Sequence, residues 1–101
     1  MTLNDIGLRH QEWQDKNFDG ISPLTQGLVL AEECGEVARA IVKRHHGIRA
    51  HDRGNLAEEL ADVILVATSL AIREGIDLDA AVASKAARRD LKDFRARPET
   101  G

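Results

Sequence analysis

Five consecutive apolar residues, Val63, Ile64, Leu65, Val66 and Ala67, lie in the middle of a stretch of helix formers. On a helix that turns once in about 3.6 residues, five in a row point to every side. A helix that is apolar all round has to be covered all round. One chain of 101 residues has few other helices with which to wrap it, so a second copy is expected to cover the remaining face. No segment alternates with the period of a strand, and Ala, Leu, Glu and Arg dominate. The expected architecture is therefore all-α, a four-helix bundle-like subunit completed by homo-oligomerisation into a dimer or a dimer of dimers.

The punctuation divides the chain into four helices. The first is expected over Leu3 to Lys16, with Ile6, His10 and Trp13 on one side, and it breaks at Asn17 to Gly20. The second opens at Ser22-Pro23, where serine suits the N-cap and proline the first helical position. It closes at His46-Gly47. A polar, basic loop is expected over Gly47 to Gly54. Asn55, with Glu58 three residues on, has the spacing of a capping box for the third helix, which ends near Glu74-Gly75. Asp77 caps the fourth, which runs to about Phe94 or Arg95. Residues 1–101 read as one domain, with a tail from about 96 to 101 that frays.

Apolar content of 43%, charged content of 31% and a net charge of −3 describe an ordinary globular chain. The mild acidity gives no basic face for a nucleic-acid polymer. The apolar run is too short to span a bilayer. The single cysteine, Cys34, forms no internal disulfide and fits a reducing, cytoplasmic setting. It falls with Leu30, Val37, Ala38 and Ile41 on the apolar stripe of helix two, so it reads as packing rather than nucleophile.

Two acidic clusters carry the chemistry. Glu32, Glu33 and Glu36 lie on helix two, and Glu59 and Asp62 lie on helix three. Residues three apart share a helix face, so each cluster sets like charges side by side among apolar neighbours. Such carboxylates must be paired, protonated or bound to a cation. Arg39 and Lys43 are in reach of Glu36 or Glu32, whereas Asp62 has no basic residue within four positions. A solvated face is the plain alternative, and it suits Glu58, a first-turn acid. For the rest, an all-oxygen ligand set points to a hard divalent cation, Mg²⁺ or Mn²⁺.

Glu-Glu-x-x-Glu on one helix followed by Glu-x-x-Asp on the next resembles the MazG-like all-α nucleotide pyrophosphohydrolases, and the resemblance extends over most of the chain. It implies hydrolysis of a nucleoside triphosphate between the α and β phosphates, giving a monophosphate and pyrophosphate, as in nucleotide-pool cleansing. Carried over by motif, Glu33, Glu36, Glu59 and Asp62 would hold the metal, and Glu32 would orient or deprotonate the attacking water. The basic residues Lys85, Arg88, Arg89 and Lys92 on helix four would face the triphosphate, or a neighbour's site in a dimer. The family pattern of Lys, Asn and Arg is departed from at Arg89 and Lys92. His10 and Phe18 resemble the base-holding positions of dCTP-type relatives. Trp13 lies beside them as a third candidate, with helix-packing core as its ordinary reading.

Adjacent His45 and His46, with His51, invite a zinc reading, but neighbouring histidines point to different sides of a helix and no ligand spacing recurs. Two alternatives stay open. One is a non-catalytic helical interaction module. The other is a pyrophosphohydrolase of the phosphoribosyl-ATP type.

Overall fold

The computed structural model describes residues 1–46 and 52–96, and the side chains of residues 1–46 and 55–90. Among the described residues every regular element is helical: α1 Leu3–Asn17, α2 Pro23–His45, α3 Asp52–Arg73 and α4 Leu78–Ala96. The caps explain the boundaries. Thr2 and Asp5 satisfy each other's backbone N–H groups in a capping box at the start of α1. The Ser22 hydroxyl accepts from the Thr25 N–H at 3.1 Å, with Pro23 in the first turn of α2. Gly75 stands just past α3 with φ of 68°, a left-handed conformation that glycine adopts without a Cβ penalty. Asp77 then accepts from the Ala80 N–H at 3.0 Å and starts α4.

One expected boundary moves. Helix α3 begins at Asp52, so Asn55 lies inside it rather than capping it. The glycine at 54 weakens a helix by only about 1 kcal/mol relative to alanine, too little to stop one whose later turns are packed. The remainder of the expected Gly47–Gly54 loop, His51 and the tail from 97 fall outside the described residues.

Helices α1, α2 and α3 pack together, with α3 against both of the others. At Gly7, α1 comes so close to α3 that a Cβ there would collide with the Thr68 carbonyl and press on Ile72. The core is small. Leu56, Val66 and Ala71 of α3 and Ala40 of α2 are its buried apolar residues. Beside them lies a buried polar group, Gln14, Gln26, Thr68 and Ser69.

The expected bundle does not close within one chain. Helix α4 meets the rest mainly at the start of α1. There Asp79 accepts from the Leu3 and Asn4 N–H groups, both at 3.0 Å. Asn4 in turn donates to Asp77 at 2.9 Å and accepts from the Leu78 N–H at 3.0 Å. Beyond this clasp the described part of α4 is exposed. Helix α3 is accordingly not buried all round, since Leu60 and Ile64 stay about half exposed. On α2, Cys34, Ala38 and Ile41 face outward rather than forming a core stripe, because only one side of α2 meets α3. The radius of gyration is 17.2 Å, against about 13 Å for a compact chain of this length. No helix among the described residues is long and apolar enough to cross a membrane.

Candidate active site

The two acidic clusters meet where α2 and α3 pack. Glu33, Glu59 and Asp62 each offer a carboxylate oxygen, and these oxygens lie within 4.8 Å of one another. The i, i+3 spacing places Glu59 and Asp62 on one face of α3, and Glu33 reaches that face from α2. The charges strain one another. Burial raises the Glu33 carboxyl above its ordinary value, and the charges of Asp62, Glu59, Glu32 and Glu36 push the same way. Three carboxylates brought together with no salt-bridging partner among the described residues form a hard-oxygen donor set, and a divalent cation would relieve that repulsion.

The other acids stand at the edge of this trio. Glu36 is one turn further along α2, where Arg39 holds its carboxylate at 3.1 Å. Glu32 is exposed, and its charge still reaches Glu33.

A cleft of about 510 Å³ opens directly beside the acids. Glu33 and Asp62 line one part of it, and His10, Trp13 and Phe18 line another. The three rings are mutually arranged. His10 stacks on Trp13 with centroids 5.5 Å apart, and Phe18 meets Trp13 edge-on at 5.6 Å. Trp13 and Phe18 are about half exposed, so Trp13 is a wall of the cleft and not the packing residue that its helix position suggests. Burial lowers the affinity of His10 for a proton, with Arg73 adding to the effect and Asp62 opposing it. The imidazole on Trp13 is thus biased towards its neutral form.

Two buried polar side chains, Gln14 and Gln26, also line the cleft, which the spacing of apolar residues does not announce. Gln14 and Gln26 exchange hydrogen bonds through their carboxamides, at 3.0 and 3.2 Å. Gln26 also donates to the Ser69 hydroxyl at 2.7 Å, and Ser69 donates to the Val66 carbonyl at 3.0 Å. Arg73 donates to Gln14 at 3.1 Å and to Asp15 at 2.9 Å. The Arg73 Nε has no partner among the described residues. A sequence signal exists in hindsight. Gln14, Gln26 and Ser69 each fall in register with the core-facing residues of their own helix, where a polar side chain needs a partner.

The basic residues of α4 are placed elsewhere. Lys85 and Arg89 line a separate shallow depression on α4, and Arg88 turns back to the Ser84 carbonyl at 3.4 Å. Within one chain none of the three lines the acidic cleft, and the side chain of Lys92 lies outside the described residues. His45 and His46 are exposed at the end of α2, and the described residues bring no histidine or cysteine into a ligand cluster.

The architecture so described has a counterpart among known families. Residues 21–94 match the model of the MazG nucleotide pyrophosphohydrolase domain. No curated protein and no solved structure matches the chain.

Proposed function

Because the chain belongs to the MazG nucleotide pyrophosphohydrolase family, we propose that it cleaves a nucleoside triphosphate between the α and β phosphates. One water is consumed, the bridging P–O bond breaks, and a nucleoside monophosphate and pyrophosphate leave. The observation that carries this reading is the shared cleft. Glu33 and Asp62, two of three converging acids, line the same hollow as His10, Trp13 and Phe18. A triphosphate presented to the acids would lay its base among the rings, where stacking accepts any π-face.

Glu33, Glu59 and Asp62 would hold Mg²⁺ or Mn²⁺, with Glu36 joining them by releasing Arg39. A cation there would supply charge neutralisation for the phosphates and acidify water. Glu32, on the exposed flank of α2, is the group for the proton that the attacking water gives up. The trio fixes where the phosphates can sit, so the enzyme works chiefly by positioning and charge.

Self-association belongs to the same reading. The half-exposed Leu60 and Ile64 and the uncovered apolar residues of α4, Val82 among them, support a homo-oligomer. In such an assembly Lys85, Arg88 and Arg89 would reach the triphosphate held by a neighbouring copy. The role is removal of a surplus or unwanted nucleotide.

Release of pyrophosphate from a panel of ribo- and deoxyribonucleoside triphosphates, with Mg²⁺ and with Mn²⁺, tests the proposal. Turnover that disappears with EDTA and returns with the metal is expected. A chain that turns over none of them is a scaffold. Turnover confined to a phosphoribosyl-ATP-like pyrophosphate would shift the reading to that substrate class.

A further inference from the structure

Resting on the pyrophosphohydrolase reading, we infer that Gln14 and Gln26 read the hydrogen-bonding edge of the base, and that Arg73 fixes the order in which they read it. The enzyme thereby separates bases with an oxo group at that edge from bases with an amino group.

A carboxamide has two N–H groups and two oxygen lone pairs. Gln14 and Gln26 each spend one of each kind on the other, at 3.0 and 3.2 Å. On one flank of this pair, the second N–H of Gln26 goes to Ser69 at 2.7 Å, and the second lone pair of Gln14 receives Arg73 at 3.1 Å. The opposite flank keeps one N–H of Gln14 and one lone pair of Gln26, and neither has a further partner among the described residues. Both glutamines are over nine-tenths buried, yet both line the cleft that holds the three rings. We take this unpartnered flank, a donor and an acceptor side by side, as the one turned to the cleft.

Their order cannot invert. Arginine only donates, so the Gln14 atom facing Arg73 is oxygen, and the Gln26 atom facing that oxygen is nitrogen. Ser69 agrees, because it gives its hydrogen to Val66 and so accepts from Gln26. Asp15 anchors the guanidinium from outside at 2.9 Å.

Bases fall into two classes by this criterion. Uracil, thymine, guanine and hypoxanthine carry a carbonyl acceptor beside a ring N–H. Cytosine and adenine carry an amino donor beside a ring nitrogen acceptor. In a base held in one direction by its sugar and triphosphate, the two orders are opposite. The mismatched class sets donor against donor and acceptor against acceptor in a place nearly closed to water. Rejection of about 100-fold or more follows from leaving such buried groups unpaired.

Arg73 acts through Gln14 and is a positioning residue. In Arg73→Met both amides can turn over together, since the Ser69 hydroxyl can donate as well as accept. Arg73→Lys keeps a donor-only group at the position. The experiment is kcat/KM for pyrophosphate release by the full chain, with pairs of substrates matched in size: dUTP against dCTP, and deoxyinosine triphosphate against dATP. In the wild type one class is expected to exceed the other by about 100-fold in the pair that is accepted. Arg73→Met is expected to bring that ratio to within about 5-fold while kcat on the preferred substrate stays within about 3-fold, and Arg73→Lys is expected to keep the split. An active wild type that does not separate oxo from amino partners overturns the inference, and so does a split that survives Arg73→Met. If Arg73→Met does not fold, the wild-type ratio and Arg73→Lys still decide. A wild type that hydrolyses no triphosphate sinks the pyrophosphohydrolase reading itself, and this inference with it.

Discussion

Around Gln26 three helices meet through side chains that water hardly reaches, whereas α4 meets its own chain mainly through the hydrogen bonds of its first turn. Each region is about half apolar, so apolar content does not separate them. What separates them is where the polar groups find partners. In the wedge of α1, α2 and α3, each buried carboxamide and hydroxyl has at least one partner among the described residues, and the Gln14–Gln26 pair keeps one donor and one acceptor free. In α4 the apolar and basic side chains have little of their own chain to meet. The acids and rings of the cleft are thus brought together by one chain, whereas Lys85, Arg88 and Arg89 stand apart from it on α4.

The comparison can be broken at several points. The largest effect is expected from Asp62→Ala, which removes one of three converging carboxylates. Pyrophosphate release should fall by about 1,000-fold or more, while circular dichroism stays helical. Activity within a few-fold of wild type would remove the acids from the chemistry.

Next comes Gln26→Leu. It strands Gln14 and Ser69 in the core, and should lower unfolding stability by about 2–4 kcal/mol in a urea titration. A loss below about 0.5 kcal/mol would mean that the polar wedge is not what joins the helices.

The arm is probed by Val82→Asp combined with Ile64→Asp. Sedimentation should show a larger species for wild type and a single chain for the double variant, because charges in a buried apolar contact have no partner. A monomeric wild type would leave α4 to be covered by something other than a second copy.

A smaller and opposite change is expected from Glu33→Gln. The folded-state pKa of Glu33 is raised above the ordinary 4.5, so the folded protein binds more protons than the unfolded chain between those values. Its contribution to stability is therefore present below 4.5 and lost as pH rises through the raised value. At neutral pH and without metal, Glu33→Gln should melt about 2–5 °C higher than wild type. It should also gain less from added Mg²⁺. A lower melting temperature in EDTA would show that the trio does not repel.

An effect of comparable size belongs to the clasp. Asp79→Ala deletes the two bonds that finish the start of α1, and should reduce stability by about 1 kcal/mol. Its activity on a nucleotide should change little unless the arm takes part in the site.

Much of this architecture is legible in the chain. Ser22-Pro23, Gly75 and Asp77 mark helix ends because their preferences are local and nothing at those places overrides them. The trio is legible for a similar reason: helical spacing fixes which acids share a face, although Glu36, with Arg39 in reach on the same helix, is drawn to that partner instead. The polar wedge is not legible in this way. A glutamine on a helix ordinarily faces water, and only the approach of three helices turns Gln14, Gln26 and Ser69 into one network. Trp13 shows the reverse error. Its position in register with Ile6 and His10 suggests core, but it stays about half exposed, with His10 and Phe18 against its ring. The apolar run of α3 reads as covered all round, and the single chain leaves Ile64 about half exposed, because α1 and α2 reach only part of its surface.

The close crossing at Gly7 makes the hollow sensitive to a residue that does not line it. Position 7 lies one turn from His10, and its missing side chain is what lets α1 ride on the carbonyl of Thr68. A Gly7→Ala chain must part the two helices to make room. One residue outside the hollow thus bears on how closely the ring-bearing helix is held to α3.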